Sequence, residues 1–315
     1  MKVLFIDTTH PALQCKLEEA GFNCYQMPAP SYELCLSIIN NYEGIILRSG
    51  IPVDSRLLDR ATKLRFVARV GSGMENIDTE EAARRGIICL HAPEGNRDAV
   101  GEHAVGMLLA LMNNFLRSDK QVRKGHWKRE ENRGVEIMGK TVAIIGYGNT
   151  GSAFARRLSG FDATVIAYDK YKTGYSSQFV YEADMETIFK TADIVSLHVP
   201  LTDETDYLVD EHYLRNFTKP IYLINTSRGR VVKTSGLVTM IREKQVIGAA
   251  LDVLEYEKKS LETLENTSAD FAYLVRCKNV IFTPHVAGWT KESAVKLATV
   301  LADKILLHFP ATGKQ

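Results

Sequence analysis

The chain has 315 residues, enough to bury a substantial core as one large domain or two ordinary ones, and its 45% hydrophobic and 24% charged content lies in the globular range. A formal net charge of +1 provides no electrostatic pull toward nucleic acid or an anionic membrane, so the expected partner is a small molecule. Cys15, Cys24, Cys35, Cys89 and Cys277 are scattered, odd in number and without a C-x-x-C pair, which argues against a disulfide framework or a zinc site; no metal is expected.

The opening MKVLFID is too short for a signal core, and no apolar run approaches the roughly 18 residues of a membrane span, so a cytoplasmic location is expected. Strand-like runs (KVLFID, NCYQM, GIILRS, RFVARV, IICLHA) alternate with helical stretches such as PALQCKLEEAG and SYELCLSIINN. That alternation predicts a parallel sheet covered by helices. Arg48 in ILRSG and Arg69 in ARVGS fall at strand ends, either as cations for a ligand or as structural ion-pair residues. Residues 70–76, VGSGMEN, place Ser72 between Gly71 and Gly73, in a stretch that is either a plain tight turn or a site where exposed amides meet a carboxylate.

After Pro93 the pattern changes. Residues 99–116 are apolar around much of a helical circumference and predict a helix buried between domains or at a subunit contact. Arg97 and His103 read first as capping or packing residues and second as hinge or cofactor-cleft residues. Residues 134–141, GVEIMGKT, fit the P-loop pattern letter for letter, but a P-loop leaves a strand and enters a helix. Here the polar HWKREENR precedes the pattern and the strand-like TVAIIG follows it, so the match is rejected.

Gly146, Gly148 and Gly151, in TVAIIGYGNTGSAFARRL, have the required order of strand, turn and helix. In G-x-G-x-x-G the first glycine permits the turn, the second lets backbone approach a pyrophosphate, and the third lets helix and strand pack closely. The next run, TVIAYD, ends in Asp169, 18 residues after Gly151, where a carboxylate meets a ribose 2′-hydroxyl and repels a 2′-phosphate; Lys170 is the compensating cation nearby. The runs IVSLHV, IYLINTS, IGAALDV and NVIFTPH continue a second sheet, and a last helix from about Lys291 to His308 is free to return to the first domain. His91, His126 and His198 lack metal-site spacing and receive no catalytic assignment.

Three further segments, NTSRGRVV from Asn225, AALDVLEYE from Ala249 and TPHVAGWT from Thr283, join the glycine turn in order and spacing over nearly the whole chain. Together they resemble the D-isomer-specific 2-hydroxyacid dehydrogenases, most of all a short phosphoglycerate dehydrogenase branch without an added regulatory domain. The resemblance implies an α/β architecture of two doubly wound parallel-sheet domains with an active-site cleft between them. A Rossmann-type cofactor domain is expected over 94–286, and a smaller flavodoxin-like substrate domain over 1–93 and 287–315. It implies NAD as cofactor, a homodimer, and Arg228, Glu257 and His285 as the catalytic set. It extends cofactor contacts from Gly146, Gly148, Gly151 and Asp169 to Asn149, Thr150, His198, Pro200, Thr226 and Asp252. Lys258 stands where the family usually places a proline.

Residue chemistry agrees with the resemblance. Reducing a 2-keto acid requires a hydride at the carbonyl carbon, a proton for the developing alkoxide, and cationic donors for the carboxylate. An imidazole such as His285 gives and takes that proton, Glu257 orients it and stabilises its charged form, and Arg228 offers a planar fork matched to a carboxylate. The substrate implied is D-3-phosphoglycerate, oxidised to 3-phosphohydroxypyruvate as in serine biosynthesis. Its carboxylate is expected on Arg228, Gly71, Ser72 and Gly73, and its phosphate on Arg48 and Arg69. Glyoxylate or hydroxypyruvate reduction is the alternative, and a dinucleotide-sensing, corepressor-like binding protein is the alternative from a different class.

Overall fold

The computed structural model describes residues 1–257, 263–265 and 267–310; Lys258 lies outside the described residues. Over the described residues the chain divides into two compact units, 1–96 with 289–310, and 97–257 with 263–265 and 267–288.

The first unit runs β1 (Lys2–Phe5), α1 (Pro11–Glu19), β2 (Asn23–Gln26), α2 (Tyr32–Ile38), β3 (Gly44–Leu47), α3 (Ser55–Arg60), β4 (Phe66–Arg69), α4 (Thr79–Arg84) and β5 (Ile88–His91). Its strands are parallel in the order β2-β1-β3-β4-β5, the flavodoxin-like arrangement. Consecutive residues such as Val3, Leu4 and Phe5, or Ile45, Ile46 and Leu47, are fully buried. Such strands have no face to give to water, so helices cover both sides.

Helix α5 (Pro93–Met112) begins in the first unit and continues into the second, followed by α6 (Phe115–Arg123). The single helix predicted over 99–116 is corrected here. Asn114 takes a left-handed conformation at φ 56°, which asparagine tolerates better than most residues and which breaks the helix. Upstream of the break Ala104, Met107, Leu108, Leu111 and Met112 are core; beyond it Phe115 and Leu116 are exposed.

The second unit continues with β6 (Thr141–Ile145), α7 (Asn149–Arg157), β7 (Thr164–Tyr168), β8 (Tyr181–Glu182), α8 (Met185–Thr191), β9 (Ile194–Leu197), α9 (Glu211–Arg215), β10 (Ile221–Asn225), α10 (Thr234–Arg242), β11 (Val246–Leu251), α11 (Ala269–Arg276) and β12 (Val280–Phe282). Its strands are parallel in the order β12-β11-β10-β9-β6-β7-β8. The connection reverses direction between β6 and β9, and ligands of open α/β sheets bind at such a switch point, beyond the carboxyl ends of the strands. Residues 134–141 lead into β6 and not into a helix, so the P-loop pattern has the wrong structural order.

The last helix, α12 (Lys291–His308), starts with a reciprocal capping box between Thr290 and Ser293. Ala298, Leu301, Ala302 and Ile305 pack with Val3, Phe5, Leu13 and Leu17, closing one face of the first sheet. Two parallel-sheet α/β units are the architecture read from the sequence. Among the described residues no helix is long and apolar enough to cross a membrane, and no cluster of His, Cys, Asp or Glu is placed to hold a metal.

Candidate active site

The glycine turn connects β6 to α7, and backbone clearance dictates its first and third glycines. Gly146 sits at φ 95°, and a Cβ there would lie 2.6 Å from the His198 carbonyl oxygen. A Cβ on Gly151 would lie 2.1 Å from the Gly146 carbonyl oxygen, so this glycine allows the helix to pack on its own turn. A Cβ on Gly148 would meet nothing within 4 Å; the turn is open on that side. No side chain caps the first turn of α7, so the N–H groups of its first residues, Asn149 and Thr150, are left for an anion. The buried Thr226 Oγ1 has no hydrogen-bond partner among the described residues, as a group completed by a ligand would have. These features fit a dinucleotide.

Asp169 follows β7. Its carboxylate accepts from the Tyr147 N–H at 2.8 Å, inside the glycine turn, and from the Tyr171 and Lys172 N–H groups at 3.0 and 3.1 Å. The negative charge is thereby fixed next to the turn, with acceptor capacity left for a hydroxyl. Lys170 pairs with Glu204 at 2.7 Å, so the compensating cation named from sequence has its own carboxylate. His198 is buried behind the turn, and Pro200 is exposed, its carbonyl accepting from the Thr205 hydroxyl at 2.6 Å.

Arg228, Glu257 and His285 lie beyond the carboxyl ends of β10, β11 and β12, three adjacent strands. The Arg228 turn is shaped by Asn225, whose Oδ1 accepts from the Ser227 N–H and hydroxyl at 3.0 and 2.7 Å and whose Nδ2 donates to the Arg228 carbonyl at 3.0 Å. A Cβ on Gly229 would lie 2.0 Å from the Leu254 carbonyl oxygen, so this turn packs backbone on backbone against the segment leading to Glu257. One Glu257 oxygen accepts from the Leu254 N–H at 2.5 Å; the other meets His285 Nδ1 at 2.6 Å. Because a carboxylate only accepts, Nδ1 carries the hydrogen of that pair, and Nε2 remains for proton transfer.

His285 itself sits at φ 55°, a left-handed conformation that costs roughly 1–2 kcal/mol. Asp252 stabilises it. Its carbonyl accepts from the His285 N–H at 2.8 Å, and its carboxylate, 2% exposed, accepts from the Val286 and Ala287 N–H groups at 2.9 Å and from the Thr283 hydroxyl at 2.6 Å. His103 joins this network through Thr283 at 3.1 Å. The sequence reading placed Asp252 among cofactor contacts; the structure adds that it holds the turn carrying His285. Asn225 and Thr283 were missed, although both belong to the segments NTSRGRVV and TPHVAGWT.

In the first unit, Arg69 closes β4 and donates to the Arg48 carbonyl at 2.8 Å and to the Gly73 carbonyl at 2.6 Å. Its guanidinium clamps the 71–73 turn. The Gly71 N–H donates to the Arg69 carbonyl at 2.9 Å, which corrects the expectation that this amide is offered to a ligand. The Ser72 and Gly73 amides take no acceptor among the described residues. Ser72 is further fixed by its hydroxyl on Asn96 and by His91 Nδ1, which donates to its carbonyl, both at 2.6 Å. The Arg48 guanidinium lies 4.1 Å over the ring of Trp289, and its burial pulls its pKa below the ordinary arginine range.

Residues 105–287 match the family model of the D-isomer specific 2-hydroxyacid dehydrogenase, NAD binding domain. The chain is 35% identical over 284 residues to the glyoxylate reductase of Thermofilum pendens, covering 88% of this chain and 81% of that protein. It is 30% identical over 308 residues to the D-3-phosphoglycerate dehydrogenase of Archaeoglobus fulgidus, covering 97% of this chain and 57% of that protein. The chain thus spans a little over half the length of this second relative. The crystal structure of D-lactate dehydrogenase from Aquifex aeolicus, complexed with NAD and lactic acid, superposes with a TM-score of 0.83 at 26% identity, over 98% of this chain and 96% of that one.

Proposed function

This chain belongs to the D-isomer-specific 2-hydroxyacid dehydrogenase family, with its NAD-binding domain over 105–287, and on that premise we propose that it moves a hydride between NAD and a D-2-hydroxy acid. The substrate pair we assign is D-3-phosphoglycerate and 3-phosphohydroxypyruvate. The observation that carries the reading is the 2.6 Å His285–Glu257 pair, held on a turn anchored by Asp252.

When bound, the nicotinamide supplies or takes the hydride. His285 Nε2 gives a proton to the carbonyl oxygen in reduction and takes one from the hydroxyl in oxidation, while Glu257 keeps the ring oriented and stabilises the imidazolium. Arg228 binds the substrate carboxylate through its donor fork. Gly146, Gly148, Asn149, Thr150 and Gly151 hold the pyrophosphate, Asp169 the ribose hydroxyls, and His198, Pro200, Thr226 and Asp252 complete the cofactor site. Residues 94–286 serve as the cofactor domain and the remainder as the substrate domain, where Ser72 and Gly73 serve the carboxylate and Arg48 the phosphate. The assignment includes a homodimer acting in the cytoplasm.

Reduction of glyoxylate or hydroxypyruvate is the second reading. It is favoured by Arg69, whose donors to the Arg48 and Gly73 carbonyls leave Arg48 as the better placed of the two proposed phosphate ligands. The test is NADH oxidation with 3-phosphohydroxypyruvate, hydroxypyruvate and glyoxylate. The highest kcat/KM is expected for the phosphorylated substrate; a higher value for either other acid establishes the second reading. A chain that binds NADH yet turns over none of a broad panel of 2-keto acids would be a binding protein.

A further inference from the structure

We infer that His198 is a positioning residue for the pyrophosphate-binding turn, acting through the hydroxyl of Thr150. This rests on the reading that residues 146–151 hold a dinucleotide.

His198 follows β9 and is 8% exposed. Its backbone and side chain both meet the turn: its carbonyl oxygen excludes a Cβ from Gly146, and its Nδ1 lies 3.2 Å from Thr150 Oγ1. Nε2 lies 2.8 Å from Ser196 Oγ, and the ring packs on Phe154 with centroids 5.4 Å apart. One imidazole thus joins β9 to the start of α7, while the carbonyl of the same residue packs on the glycine turn.

The hydrogens in this chain of groups are settled by burial. If Nε2 carried the ring hydrogen, it would donate to Ser196, and the Ser196 hydroxyl hydrogen would have no acceptor. Ser196 is fully buried and its hydroxyl has no other hydrogen-bond partner among the described residues, so that arrangement carries the cost of an unsatisfied donor. In the other tautomer Ser196 donates to Nε2, and Nδ1–H donates to Thr150 Oγ1. Every buried donor is then satisfied. The Thr150 hydroxyl hydrogen, held at the start of α7, is left to donate to an anion at the helix N-terminus. Burial also lowers the His198 pKa to about 3, so the ring stays neutral and this order of donors persists at working pH. Glu257, whose oxygens accept from Leu254 and His285, takes no part in it. His198 does not touch the cofactor's reacting atoms; it decides which way the Thr150 hydroxyl points.

The experiment is calorimetric titration of the full chain with ADP-ribose, which carries both phosphates but no nicotinamide, alongside adenosine, which carries neither. Thr150→Val is expected to weaken ADP-ribose binding about 10–100-fold, the usual worth of a hydrogen bond to a charged group, and Thr150→Ser to restore it. His198→Phe should weaken it by a similar factor. The double variant should bind no more weakly than Thr150→Val alone, because both remove the same contact. Adenosine affinity should be unchanged throughout. Should His198→Phe fail to fold, Ser196→Ala reports on the same order of donors and should weaken ADP-ribose binding roughly 2–10-fold. Multiplicative losses in the double variant, unchanged ADP-ribose affinity in the folded single variants, or equal losses for adenosine would overturn the inference. A wild-type chain that binds no ADP-ribose would instead overturn the dinucleotide reading on which it rests.

Discussion

Two glycine-bearing turns close parallel strands in this molecule, one after β6 and one after β4, and they are held by different means. After β6 the shape is set by clearance: Cβ atoms at 146 and 151 would fall within 2.6 and 2.1 Å of carbonyl oxygens. After β4 the shape is set by a side chain, the Arg69 guanidinium on the Gly73 and Arg48 carbonyls. A turn shaped by clearance keeps its helix N-terminus for a ligand. A turn clamped by an arginine uses that cation for structure, so the positive charge read from sequence is already committed.

The sharpest way to break this contrast is Gly151→Ala. A methyl group that close to backbone cannot be accommodated by a rotamer change, and overpacking typically costs about 1–3 kcal/mol or more. NADH affinity should fall by about 10²-fold; a thermal melt separates that loss from unfolding. Wild-type affinity would mean that the turn relaxes freely and that clearance does not shape it.

The arginines provide a smaller effect with a diagnostic pattern. Arg48→Ala should raise KM for 3-phosphohydroxypyruvate about 10-fold or more, as loss of a charge-assisted bond does, and leave hydroxypyruvate within about twofold. Arg69→Ala should raise KM for both acids by a similar factor, because it loosens a turn that serves the shared carboxylate. If Arg69→Ala instead penalised only the phosphorylated acid, the clamp would be secondary to phosphate binding.

A third expected effect concerns stability. His198 takes a proton near 6.5 when unfolded but only near 3 when buried behind the first turn. A lowered folded pKa means full stability above about pH 6.5 and progressive loss as pH falls toward 3, with a slope of at most about 1.4 kcal/mol per pH unit for one proton. Urea melts of wild type should therefore weaken more steeply between pH 6.5 and 4.5 than those of His198→Phe. Parallel slopes would show that His198 is not kept neutral by the fold.

Much of the fold was legible because strands buried on both faces read as unbroken apolar runs, as in VAII before Gly146. Strand β8, Tyr181–Glu182, was not, since a two-residue exposed edge strand has no hydrophobic pattern to read. The break at Asn114 was missed because the apolar pattern continues through Phe115 and Leu116 although the backbone does not. The glycine turn announced itself through order and spacing. What escaped the sequence were bonds to backbone. Arg69 read as a ligand cation or an ion-pair residue because carbonyl partners leave no mark in a residue pattern, and Asp252 read as a ligand contact because the amides of Val286 and Ala287 are equally silent.

Proton transfer by the His285–Glu257 pair beside the cofactor site is tested by His285→Ala. NADH affinity and turnover should be measured on the same preparation. The variant's kcat should be lowered about 10²–10⁴-fold with NADH affinity within about twofold of wild type. Turnover at the wild-type rate would remove His285 from the chemistry.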